Sequence, residues 1–258
     1  KIVVADQVGH MSSLFKSSIA AMVGLIAIWQ LIVSLTGVPR FILPSPFLVG
    51  VSFVENFELI VEHALVTVSE IILGLTIGIT LGIITALQFE MSPAAKFFLK
   101  PVLIFSQAIP VFALAPVLTL WLGYGMISKV TMAVLIIYFP VTSALHDGLS
   151  RTPSGLSDLA HVMNAKPIRF LFLIRLPAAM PNLLSGIRLA AVYAPIGAVI
   201  GEWVGSSQGL GYLMLLANGR VKTDLMFAAL FTLGFLSMSL YGLITILIKL
   251  AFRRFEVH

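Results

Sequence analysis

Cysteine is absent from all 258 residues, which excludes disulfides, thiolate nucleophiles and cysteine-held metals. Charge is scarce too: Asp, Glu, Lys and Arg make up 10% of the chain, against about a quarter in soluble proteins. No phosphate-cradling loop occurs. The nearest stretch, Gly123-Tyr-Gly125-Met-Ile-Ser-Lys129, lacks the Gly-Lys-Ser/Thr ending, so ATP hydrolysis by that route is excluded. His10, His63, His146, His161 and His258 are scattered without metal-ligand spacing. Nothing resembles a nucleophile elbow. No catalytic residue, metal ligand or cofactor is therefore expected.

What fills the chain is apolar surface. Hydrophobic residues reach 59% and mean hydropathy is +1.06. Several apolar runs approach the length of about 20 residues that spans a bilayer. The expected fold is all-α, a polytopic membrane protein with six transmembrane helices, at about 17–35, 65–87, 99–120, 127–145, 183–204 and 225–248. Residues 1–16 form an expected N-terminal segment and 17–258 a single transmembrane domain. The first run lacks a small-residue cleavage site and is expected to stay as a span, not as a cleaved signal.

The net charge of +5 does not signal nucleic acid, because the basic residues stand at the ends of apolar runs. Placing the N-terminus inside puts Lys1, Lys16, Lys96, Lys100, Arg151, Lys166, Arg169, Arg175, Arg188, Lys249, Arg253 and Arg254 on the inner side. Only Arg40, Lys129, Arg220 and Lys222 remain for the other side. Both termini are then expected in the cytoplasm, with the protein in a bacterial inner membrane and in contact with lipid.

Gly74, Gly78 and Gly82 recur every fourth residue, baring one helix face for close packing. Pro101, Pro110 and Pro116 interrupt the third run, and freed carbonyls in lipid survive only within protein or beside a cavity. That span is expected to be interior and irregular. Intramembrane polar residues are candidates for the solute path. Gln107, Pro110, Pro116, Tyr193 and Glu202 form the expected pathway set. The competing readings are an interhelical hydrogen bond for Gln107, packing for Tyr193 and a solvated carboxylate for Glu202. His146-Asp147 reads as a solvated helix end and His161 as a surface residue.

The longest polar island runs over residues 158–177, between two spans. Thr152-Pro153 reads as a helix start, with Thr152 as N-cap. Leu156, Leu159, Ala160 and Met163 then share one apolar face, and Asp158 falls in the first turn. Lys166-Pro167 breaks this helix and begins a second that stops at Leu176-Pro177. Two short helices with an elbow, carrying an apolar stripe, must dock on something.

This island resembles the "EAA" loop of binding-protein-dependent ABC importer permeases: Glu-Ala-Ala, three residues, Gly, nine residues, Ile, one residue, Leu-Pro. Asp158-Leu159-Ala160 stands for the acidic triplet, Asn164 for the glycine, and Ile174 with Leu176-Pro177 keeps the spacing. Asp, Leu and Asn depart from the usual Glu, Ala and Gly, and Asn tolerates a left-handed backbone. Pro44-Ser45-Pro46, His63 with Thr67, Ile109-Pro110, Ala115-Pro116, Gly186, Glu202 and Gly209-Leu-Gly211 look like the nitrate/sulfonate/taurine-type branch. Segments 106–116, 194–204 and 223–229 look most like permeases for thiamine-precursor pyrimidines of the hydroxymethylpyrimidine type.

The resemblance implies a type I ABC importer permease fold and a coupling segment at about 151–181. It assigns ATPase coupling to Leu156, Asp158, Leu159, Ala160, Met163, Asn164, Ala165, Ile174, Leu176 and Pro177. The implied partners are an ABC ATPase subunit that binds the ATP, an extracytoplasmic solute-binding protein and a second permease copy, a homodimer being expected. Sulfonate and taurine relatives usually carry a basic residue where this chain has Glu70, which favours a neutral or weakly basic heterocycle as solute. Nitrate, sulfonate, taurine or bicarbonate remain the alternatives within the family. Outside it, the rival is an ion-coupled secondary transporter using Glu70 or Glu202 as the titrating group.

Overall fold

The computed structural model describes residues 20–252, and their regular elements are all helices. Helix α1 covers Ala20–Thr36. It is followed by α2 (Pro46–Glu55), α3 (Phe57–Met91), α4 (Pro93–Ala108), α5 (Val111–Leu122) and α6 (Met126–Ser150). Then come α7 (Ser154–Val162), α8 (Pro167–Phe170), a π turn (Leu171–Arg175), α9 (Leu176–Gly205), α10 (Leu210–Gly219) and α11 (Thr223–Phe252). The whole expected 1–16 segment, with Lys1, His10 and Lys16, lies outside the described residues, as do Arg253, Arg254 and His258.

Local chemistry sets several boundaries. Ser45 caps α2 by accepting from Leu48 N at 3.3 Å, with Pro46 in the first turn. Ser92 does the same for α4, accepting from Ala95 N at 3.2 Å ahead of Pro93. Pro110 ends α4 and starts α5, and the two helices meet at 105°.

The expectation of six spans is corrected. Among the described residues four helices are long and apolar enough to cross a membrane: α3, α6, the continuous rod Pro167–Gly205, and α11. Counting the bent α4–α5 pair as one span gives five. The described part of the expected first span, Ala20–Thr36, belongs with the shorter apolar helices. The third run fails as a straight span because Pro110 lacks the N–H that would continue the ladder.

Helix α6 is the centre of the molecule. Cβ atoms built on Gly74, Gly78 and Gly82 of α3 would lie 2.6 Å from Ala133 Cβ, 2.7 Å from Ile137 Cγ2 and 2.9 Å from Val141 Cβ. On an adjacent side, with Ala133 met by both helices, α9 presents Gly186, Gly197 and Gly201. Their Cβ positions fall 2.7 Å from Ala144 Cβ, 2.6 Å from Ala133 Cα and 2.9 Å from Lys129 Cα. Two glycine faces thus grip one helix, and Ile137, Val141, Leu145 and Leu149 between them are fully buried. Small residues permit this approach where lipid gives no hydrophobic drive between helices.

Candidate coupling and translocation site

The elbow hangs from the end of this three-helix core. Thr152 is not an N-cap: its hydroxyl donates back to Leu149 O at 2.9 Å, and Pro153 occupies the cap position of α7. Asp158 consequently sits in the second turn, not the first. The apolar stripe divides. Ala160 is buried and Leu156 half-buried, whereas Leu159 and Met163 are 51% and 71% exposed. Val162, outside the expected set, is 84% exposed beside them; its place three residues after Leu159 was the available signal. Asp158 is exposed on the same helix. An acid and three large apolar side chains therefore project from a helix that packs extensively on no other.

A Schellman-type end closes α7. Asn164 adopts φ 48°, Ala165 N donates to Ala160 O at 2.9 Å and Asn164 N donates to His161 O at 3.0 Å. This is the backbone a glycine supplies at no steric cost, and Asn is the next best residue for it. The chain then reverses at Lys166 and enters α8 through Pro167. The helix does not stop at Leu176-Pro177. Pro177 falls in the first turn of α9, directly after the π turn, so Pro167 to Gly205 forms one rod. Ile174, Leu176 and Pro177 are half-buried on it, and Ala165 is exposed.

Nor is His146 a solvated helix end. It is buried, with Nδ1 at 3.2 Å from Glu90 Oε1 and its ring edge-on to Phe89 at 5.3 Å. Arg175 Nη2 meets Glu90 Oε2 at 2.7 Å and Leu149 O at 2.7 Å. His161 is exposed, as expected.

Of the expected pathway residues, Gln107 and Tyr193 line one cavity of about 620 Å³ with Phe139, Ser143 and Asp147. Pro110 and Pro116 are exposed and stand outside that lining; Pro110 makes the α4–α5 corner, and Pro116 lies within α5. Glu202 is neither on this cavity nor solvated. It is 1% exposed at the far end of the core from the elbow. Thr67 Oγ1 donates to Glu202 Oε1 at 2.6 Å, and Gly211 N donates to Glu202 Oε2. Leu210 N donates to Thr67 Oγ1 at 2.8 Å, and Gly209 N to His63 Nδ1 at 3.0 Å. Gly209, at φ 108°, has no room for a side chain: its Cβ would fall 2.2 Å from Glu202 Cδ. Beside them Lys129 Nζ meets Glu70 Oε1 at 2.7 Å. Lys129 is thus a core residue, not a marker of the outer surface. A lysine within an apolar helix needs a buried partner, which was the signal in the sequence.

Residues 78–257 match the family described as binding-protein-dependent transport system inner membrane component. A probable ABC transporter permease protein of Haemophilus influenzae is 53% identical over 217 residues, 84% of this chain and 89% of that protein. The riboflavin transport system permease protein RibX of Chloroflexus aurantiacus is 37% identical over 231 residues, 89% of this chain and 86% of that one. The formylaminopyrimidine transport permease protein ThiX of Halalkalibacterium halodurans is 34% identical over 215 residues, covering 83% and 86%. Permeases named for aliphatic sulfonates and for taurine match as well. The fold is similar to that of a chain from an inward-facing MetNI methionine ABC transporter, with TM-score 0.65 and 18% identity over 76% of this chain and 97% of that chain. With its membrane-length helices, the chain belongs to the binding-protein-dependent inner membrane components: it is a multi-pass permease subunit of an ABC importer, not itself catalytic, with ATP hydrolysis in a separate subunit.

Proposed function

We propose that this permease is driven by an ATPase subunit docked on α7 and passes a small planar nitrogen heterocycle handed over by an extracytoplasmic binding protein. The observation that carries the docking is the exposed set Leu159, Val162 and Met163 beside Asp158. Apolar area of this kind supplies affinity, and the carboxylate offers a charge-assisted hydrogen bond to a cationic partner. The elbow end faces the cytoplasm in this reading, supported by Lys96, Lys100, Arg151, Lys166, Arg169 and Lys249 at that end against Arg40, Arg220 and Lys222 at the other. A second copy of the chain completes the pathway.

The solute assignment rests on the cavity. Phe139 and Tyr193 offer aromatic faces, Gln107 and Ser143 offer donors and acceptors, and Asp147 is the charged group on the lining. Neither Lys nor Arg lines it. A ring that stacks and hydrogen-bonds suits these walls, and the names of the riboflavin and formylaminopyrimidine relatives support that class. A thiamine-precursor pyrimidine is one member of it. An anionic solute is the second reading, favoured by the sulfonate and taurine matches. Mass identification of the ligand carried by the co-purified binding protein decides between them.

Docking is tested by Asp158→Lys and Leu159→Asp. Each is expected to lower co-purification of the ATPase subunit at least about tenfold, a loss of about 1.4 kcal/mol, while the permease keeps its melting temperature. Normal co-purification and transport in both variants would contradict the docking.

A further inference from the structure

We propose that Glu90 and Arg175 are positioning residues that pass the elbow's movement to α3 and α6, an inference that rests on the ATPase docking at α7. Glu90 is the penultimate residue of α3, and Arg175 ends the π turn at the base of α9. Their side chains are 10% and 21% exposed, so the pair is largely removed from water. A single nitrogen of Arg175 reaches both Glu90 and the carbonyl of Leu149, near the end of α6. Glu90's other oxygen faces His146 of α6. Three helices of the core therefore meet on one carboxylate and one guanidinium.

The surroundings make this bridge a discrete link. A cavity of about 230 Å³ separates the returning α8 from the end of α3, lined by Glu90, Met91, Pro167, Ile168, Phe170 and Arg175. Apolar packing is incomplete here, so α8 can shift against α3 at little steric cost. The directional contact across the gap is the Glu90–Arg175 ion pair. The π turn that carries Arg175 lies between the elbow and the long rod of α9. Such turns interrupt the regular helical register, often at functional positions. Asp147, next to His146 in the sequence, lies on the lining of the larger cavity. Neutralising Glu90 leaves the Arg175 guanidinium without its carboxylate partner.

The test uses the complete complex of permease, ATPase subunit and binding protein in proteoliposomes, and reads solute moved per ATP hydrolysed. In Glu90→Gln and Arg175→Gln the ratio is expected to fall about fivefold to tenfold with the complex still assembled. The double variant should fall no further than either single one, because both remove the same bridge. Glu90→Asp, which keeps the charge, should stay within about twofold of the wild-type ratio on the same coupling scale. An unchanged ratio in Glu90→Gln overturns the proposal, as does a ratio in the double variant equal to the product of the single losses. Glu90→Asp as impaired as Glu90→Gln also overturns it. Failure of the wild-type chain to retain an ATPase subunit fails the docking itself and is read separately, by co-purification.

Discussion

Glu70 and Lys129 stand 59 positions apart and meet at 2.7 Å in the interior, with Glu202 beside them. A buried ion pair adds little net stability over an apolar pair, but removing one partner leaves a charge without compensation. Lys129→Met is therefore expected to destabilise the protein by about 3–5 kcal/mol, seen as a large drop in melting temperature in detergent. Adding Glu70→Gln to it should recover most of that loss, and no recovery would contradict the pairing. The need for a partner was readable in the sequence, since each residue is ionisable and lies in an apolar run. Which residue is the partner was not, because contact depends on the rotation of α3 and α6 about their axes. The same limit explains Glu202 and His146. A solvated helix end is the sequence reading of His146, and a solvated carboxylate the competing reading of Glu202 beside its place in the pathway set; both are buried because neighbouring elements, α10 for Glu202 and the end of α3 for His146, close over them.

Periodic features were legible at the level of elements. The four-residue glycine spacing of α3 announced a close-packed face, and that face meets α6 at contact distances. Gly78→Ala and Gly197→Ala should each destabilise the protein by about 1–3 kcal/mol. Gly197→Ala should cost more, because its Cβ meets the Ala133 backbone, whereas Gly78 meets the Ile137 side chain. Gly242→Ala, with nothing within 4 Å, should leave the melting temperature unchanged or slightly raised. Equal losses at all three positions would mean that the glycines do not set helix approach. Less legible were features that depend on geometry between elements. The corner at Pro110 turned one expected span into two helices at 105°, and the stop expected at Leu176-Pro177 became a continuous rod. Proline marks a place where the ladder loses a donor. It does not say whether the chain bends there or, as at Pro177, begins a new first turn.

At the scale of the whole molecule, one core helix packs against two glycine-faced helices, with a polar network at one end and the exposed α7 elbow at the other. The spacing of the elbow motif was readable in the sequence, and so was the absence of a nucleotide site. In the proposed docking, the exposed Leu159, Val162 and Met163 are the surface that takes the place of a nucleotide site in this chain. The α4–α5 corner and the cavity near Gln107 and Tyr193 lie along α6; in the proposed function, movement of the elbow alters the solute path there. Uptake of solute into proteoliposomes is the most direct measurement of this account. Uptake is expected only when the ATPase subunit, ATP and loaded binding protein are all present, and it should cease when any one is left out. Uptake by this chain alone, driven by a proton gradient without ATP, would contradict it.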